Sequence, residues 1–123
     1  MSILEITDLT LGELLELDRT CYRESQDQHA QRLQVSEGTI YNWESGKTKI
    51  AKQHRERLEK KRHTLKRYLT LQKQCYFARK RFGMTQKQLA NELGFCRYWV
   101  AMMENGDIPL NQKMLDYFLP GTD

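Results

Sequence analysis

The chain has no apolar run approaching the roughly 18 residues that a membrane-crossing helix needs. Its N-terminus has no basic stretch followed by an apolar one, so neither a signal peptide nor a membrane partner is expected. It is poor in cysteine. Cys21, Cys75 and Cys96 are odd in number, lack CxxC spacing, and stand at no ligand spacing from His29, His54 or His63. That argues against a disulfide framework or a metal centre and for buried or half-buried thiols. A nucleophile–base constellation, a phosphate-loop glycine pattern and paired carboxylates in a plausible cleft are all missing. The expectation is therefore a protein that is not an enzyme and carries no cofactor or metal. Finally, 47–82 has no glycine and no proline.

Charge is plentiful but unevenly distributed. Residues 1–45 hold 3 basic and 9 acidic side chains, residues 46–82 hold 14 and 2, and residues 83–123 hold 3 and 5. The net charges are −6, +12 and −2, beneath a formal total of +4. A basic middle of that density points to a polyanionic partner, since phosphate neutralisation releases counterions; the plainer reading is a solvated helix face.

The most informative stretch is 25–46, SQDQHAQRLQVSEGTIYNWESG. Ser25 and Gln28 make a capping box, in which each side chain satisfies an exposed backbone donor near the other. Ala30, Leu33, Val35, Ile40 and Trp43 are the apolar positions. They predict one helix ending near Leu33, a corner at Gln34-Val35, and a second helix over about 37–45. Ser36 suits the N-cap of the second helix and Gly46 its left-handed stop. A small Ala30 lets the helices cross closely. Upstream, Thr10 and Glu13 form another capping box ahead of Leu11, Leu14, Leu15, Asp18 and Tyr22, so helix one is predicted from Leu11 to about Arg23. Ile3, Leu4, Ile6 and Leu9 lie in a tail that reads as an arm packing on the domain or on a second subunit. Ala51, Leu58, Leu65 and Leu69 give 47–82 a thin apolar stripe in strongly helix-forming composition. One long helix or two abutting ones, with Thr70 capping the second, both fit.

The sequence also repeats itself. At an offset of 60, positions 9–50 and 69–110 share ten identities without a gap: Leu9/Leu69, Thr10/Thr70, Leu11/Leu71, Arg19/Arg79, Gln26/Gln86, Gln28/Gln88, Ala30/Ala90, Leu33/Leu93, Glu44/Glu104 and Gly46/Gly106. Conservative pairs such as Leu17/Phe77, Val35/Phe95, Ile40/Val100 and Trp43/Met103 fall where a core needs them. The chain therefore reads as two helix-turn-helix domains in tandem. The copies differ at telling places. Gln34 stands opposite Gly94, where a non-glycine in the left-handed conformation costs about 1 kcal/mol. His29 stands at a half-buried position opposite Leu89, and Cys96 is a poor cap opposite Ser36. The loop Gly106-Asp107-Ile108-Pro109 lacks the lysines of Gly46-Lys47-Thr48-Lys49. One further helix over about 111–118 is predicted before Leu119-Pro120-Gly121 ends the fold.

Gln26, Ala30, Leu33, Ile40, Trp43-Glu44 and Gly46, with the trailing Lys47-Thr48-Lys49, resemble the Cro/C1 (XRE, lambda-repressor-like) helix-turn-helix family over about forty residues. The resemblance implies an all-α fold: two tandem lambda-repressor-like domains, 1–60 and 61–123, joined by a long basic helical connector at about 51–70. Nine or ten helices and no sheet are expected. It implies structural ion pairs Arg19–Glu44 and Arg79–Glu104. It also implies that the second helix of each pair enters the major groove. With Ile40 and Trp43 facing inward, the base-reading candidates are Glu37, Gly38, Thr39 and Asn42 in copy one. In copy two they are Arg97, Tyr98, Trp99 and Met102. Asn42 suits adenine, Thr39 a thymine methyl, Glu37 a cytosine amino group and Arg97 a guanine. Phosphate candidates are Ser25, Gln26, Lys47, Lys49, Lys52, Thr85 and Gln86.

The function implied is a sequence-specific transcriptional regulator, a repressor or activator of phage, plasmid or bacterial type. It would bind double-stranded DNA in the cytoplasm in association with the nucleoid, either as a homodimer or through two reading helices of one chain about 34 Å apart. Copy one is expected to carry most of the base-specific affinity, and copy two a weaker half-site or a protein contact. The competing class is a protein-binding antirepressor, antiactivator or antitoxin-like module that keeps the fold. Its support is the acidic first copy and the aromatic Tyr98-Trp99 pair.

Overall fold

The computed structural model describes residues 2–119. Among these residues every regular element is helical: eight α-helices and two 3-10 turns, with no strand. Eight are α-helices, and with the two 3-10 turns the helical elements number ten, against the nine or ten helices expected. Pro120 and Gly121, placed by the sequence at the end of the fold, lie outside the described residues.

The chain divides into two compact units. One is Glu5–Tyr68, called the first unit here. The second comprises the described residues of Met1–Leu4 and Leu69–Asp123. The division falls at 68/69, later than the expected 60/61.

In the first unit a 3-10 turn, Ile6–Asp8, precedes α1 (Leu11–Cys21), α2 (Gln26–Leu33), α3 (Glu37–Ser45) and α4 (Lys52–Leu65), and a second 3-10 turn, Lys66–Tyr68, follows. Thr10 and Ser25 start α1 and α2 with complete capping boxes, and Ser36 Oγ accepts from Thr39 N to start α3. Each bond satisfies a backbone donor that a helix start leaves open. α3 packs against α2 and α1, and α4 packs against α1 and the 3-10 turn at Ile6–Asp8. Leu14, Ala30, Ile40, Trp43, Ile50 and Leu58 are among the residues buried by this packing. At Gly12 α1 and α3 run close together: a Cβ there would stand 2.7 Å from the Trp43 carbonyl oxygen and 2.8 Å from that of Glu44.

The helix-forming stretch 47–82 holds two helices, the second capped by Thr70, with the 3-10 turn Lys66–Tyr68 between them. It opens non-helically, because Gly46 turns left-handed and Ile50 is drawn into the core. α4 gives way to the 3-10 turn at Lys66–Tyr68, and Thr70 takes an extended conformation in which its hydroxyl accepts from Lys73 N. A cap of that strength outweighs a run of modest helix propensities.

The second unit contains α5 (Leu71–Arg81), α6 (Gln86–Leu93), α7 (Arg97–Asn105) and α8 (Gln112–Phe118). Its core is Cys75, Ala78, Leu89, Ala90, Leu93, Val100, Met103, Met114 and Phe118, with Ile3, Phe95, Ile108 and Leu110 partly buried against it. Gln74 fastens residues 3 and 4 to this unit. Its Oε1 accepts from Ile3 N at 2.7 Å and from Leu4 N at 3.2 Å, while its Nε2 donates to the Leu69 carbonyl at 3.1 Å. The N-terminal segment is thus divided: Ile3 and Leu4 serve the second unit, while Ile6 and Leu9 are buried residues of the first.

Candidate nucleic-acid interface

Each unit holds the same polar triad, half-buried in the first unit and built on a buried arginine–glutamate pair in the second. Arg19 Nε donates to Glu44 Oε2 at 2.9 Å, and its Nη1 donates to the Glu24 carbonyl at 3.0 Å. In the second unit Arg79 Nε donates to Glu104 Oε2 at 2.6 Å, and its Nη1 donates to the Met84 carbonyl at 2.8 Å. The third member is a glutamine: Gln26 Nε2 donates to Glu44 Oε1 at 3.1 Å, and Gln86 Nε2 to Glu104 Oε1 at 3.0 Å. Gln26 and Gln86, expected to contact phosphate, are half-buried, and each gives an amide hydrogen to the glutamate. Ser25 and Thr85 are exposed, with their oxygens engaged in the capping boxes. The triads fix the first, second and third helix of each unit to one another, and so set the tilt of α3 and α7.

On α3, Glu37 and Gly38 are exposed, while Thr39 and Asn42 are half-buried. Thr39 Oγ1 lies 2.8 Å from Ser36 Oγ. The backbone carbonyl of Asn42 accepts from Lys47 N at 2.9 Å, which holds the following loop against the helix end. Tyr41 is a residue that the sequence reading passed over. It is 51% exposed on the same face, with Lys47 Nζ 5.3 Å from its ring centroid. The signal was present, since Tyr41 stands four residues after Glu37, one helical turn along. Lys47, Lys49 and Lys52 are all exposed, and none has an acidic partner among the described residues.

Other cations of the first unit are engaged internally. Arg62 Nη1 donates to the carbonyls of Ile6 and Leu9 at 2.9 Å each, and its Nη2 meets Glu59 at 2.7 Å. Lys61 and Arg32 converge on Asp18, at 3.2 and 3.1 Å, and both lie over the Tyr22 ring. His29 is fully buried, deeper than the half-buried place expected for it. Its Nε2 stands 3.5 Å from Asp18 Oδ2, too long for a well-formed hydrogen bond yet within reach of the carboxylate's field. Burial alone would raise the Asp18 carboxyl, but His29, Lys61 and Arg32 outweigh it and hold the group at about 2. His54, its ring tilted against that of Trp43 with centroids 5.4 Å apart, has its basicity lowered by burial and by the neighbouring Arg57.

The corresponding face of α7 differs in kind. Arg97 is exposed, Tyr98 is 68% and Trp99 48% exposed, and Met102 is half-buried. Trp99 leans on Phe95 with ring centroids 5.7 Å apart, and Arg97 lies 5.3 Å from the Tyr98 centroid. Cys96, at the N-cap of α7, makes no side-chain capping bond. Burial pushes the Cys75 thiol up to about 12, with Glu104 adding to the shift, so it has little nucleophilic character. Among the described residues no group of His, Cys, Asp and Glu is placed to hold a metal ion, and no helix is long and apolar enough to cross a membrane. No family model matches the sequence, and neither a curated protein nor a solved structure matches it.

Proposed function

We propose that the chain is a sequence-specific DNA-binding transcriptional regulator, built from tandem helix-turn-helix domains that read the major groove of double-stranded DNA. The observation that carries this reading is the outer face of the first unit. There Glu37, Gly38, Tyr41 and Asn42 are presented on one short helix, and three lysines without acidic partners follow it directly. A rigid helix with polar tips supplies base contacts, and adjoining free cations supply phosphate contacts, the two components such recognition needs. The triad of Arg19, Glu44 and Gln26 supports the reading by fixing α3 from behind.

Asn42→Ala should relax preference at one base position by about 1–3 kcal/mol. Lys49→Ala should weaken all sequences alike and reduce the salt slope by about one unit. Selection of bound duplexes from a random library, repeated with each variant, measures both effects. Equal losses of Asn42→Ala on selected and random DNA would remove it from the reading face. A second reading, a protein-binding antirepressor or antiactivator module, is favoured by the exposed Tyr98 and Trp99. It predicts no salt-dependent binding of random duplex DNA.

A further inference from the structure

The two recognition-type helices present opposite chemistries at equivalent positions. Where α3 has Gly38, Thr39 and Asn42, α7 has Tyr98, Trp99 and Met102. Neither Tyr98 nor Trp99 belongs to the core of the second unit. Their rings are offered to solvent, one beside the Arg97 guanidinium and one backed by Phe95, over which Lys113 Nζ stands 5.8 Å from the centroid. From Cys96 to Met103 there is no acidic side chain. A first turn reading Arg-Tyr-Trp is broad where a groove-entering helix is slim. The charge beside these rings, Arg97 at Tyr98 and Lys113 at Phe95, suits a polyanion, whereas a purely apolar partner would bury it without a counter-charge.

We propose that this Arg97–Tyr98–Trp99 surface is a stacking platform for unpaired bases, so that the second unit takes single-stranded DNA while α3 reads the duplex. Every base has a π-face, and an exposed aromatic ring with cations at its rim binds successive bases by stacking and their phosphates by charge. The inference rests on the DNA reading above for its class of ligand.

The chain's two tryptophans make the test direct, because Trp43 is only 7% exposed whereas Trp99 is 48% exposed. The full chain is titrated with an oligothymidylate of about 15 nucleotides, a length matched to known site sizes, and separately with a random duplex of the same length. Affinities come from fluorescence anisotropy of labelled DNA, and tryptophan emission is followed in parallel. Stacking predicts that the single strand quenches Trp99 emission. It also predicts that Trp99→Ala and Tyr98→Ala each weaken single-strand binding about tenfold more than duplex binding. Asn42→Ala should show the reverse preference, and Trp99→Phe should keep most of the single-strand affinity.

Duplex binding without single-strand binding, or equal losses on both ligands, would overturn the platform and leave the duplex reading standing. An affinity lost in Trp99→Ala and not restored in Trp99→Phe would assign the effect to packing on Phe95, and would also overturn it. Binding of neither ligand would remove both proposals. A Trp99 emission that shifts with chain concentration, and is indifferent to oligothymidylate, would make the surface a contact between copies of the chain.

Discussion

Asp18 and His29 occupy positions that the repeat gives to Ala78 and Leu89 in the second unit, where both are buried and apolar. The first unit has therefore placed a carboxylate and an imidazole where its counterpart has hydrocarbon, and has surrounded them with Arg32 and Lys61. The folded carboxyl titrates near 2 against an ordinary value of 3.8. Its contribution is thus complete above about pH 4 and is lost as the pH falls from about 4 to 2. The shift corresponds to about 2 kcal/mol. Denaturant unfolding followed at Trp43 should show that acid loss in the native chain. Asp18→Ala together with His29→Leu, which copies the second unit, should abolish it with little or no loss of stability at neutral pH, because apolar replacements of buried polar groups are often neutral or better. Asp18→Ala alone should be the more damaging variant, leaving His29 and two cations facing one another. The sequence placed His29 at half depth because a lone histidine carries no mark of what will surround it. Arg23 takes a φ of 57° where the repeat has Gly83, a mark that was present in the sequence and not read. At Gln34 the comparison with Gly94 did expose the left-handed residue, and its φ is 60°.

Among the elements, α2 and α3 were legible almost to the residue, since Ser25, Gln28, Ser36 and Gly46 act locally and depend little on what packs around them. α4 was not. Its composition said helix, but its limits come from Ile50 and Leu65 entering the interior and from the extended Thr70, which are tertiary effects. The close approach of α1 and α3 was equally hidden, for Gly12 looks like an ordinary weak point of a helix until the carbonyls of Trp43 and Glu44 are seen beside it. Gly12→Ala should push α1 from α3 and destabilise the first unit by about 1–3 kcal/mol, although alanine is the better helix former. Thermal unfolding measures the cost. A neutral or stabilising result would show that the helices separate freely at this point. In the native packing α3 is held against α1 both by the close approach at Gly12 and by the Arg19–Glu44 pair, so the same variant should also weaken whatever α3 binds.

At the scale of the whole molecule, the blocks of charge in the sequence are not blocks in the fold. Glu5–Tyr68 contains 13 Lys and Arg against 11 Asp and Glu, a net of only +2, because the acidic 1–45 and most of the basic middle belong to one unit. Lys61, Arg62 and Arg32 are engaged with Asp18, Glu59 and Glu24; Lys47, Lys49 and Lys52 are the exposed lysines nearest α3 in sequence, and Arg55, Arg57, Lys60, Lys66 and Arg67 are exposed farther along α4 and the turn after it. Counted from sequence, a net of +12 suggests a slope of log K against log salt near −10; three lysines give roughly −3. Binding measured over a salt series decides between them, and a slope near −10 would mean that α4 lies along the polyanion as a whole. Pairing of charges across α1, α2 and α4 is what composition could not reveal, and the clasp of Gln74 on Ile3 and Leu4 is another instance. That clasp joins residues 71 positions apart. On the ribosome, Ile3 is made early and its acceptor only after the entire first unit has followed. The second unit therefore cannot be finished by the chain that is emerging when it forms. Ile3 and Leu4 find their acceptor only after Gln74 has been made, with the whole of Glu5–Tyr68 synthesised in between.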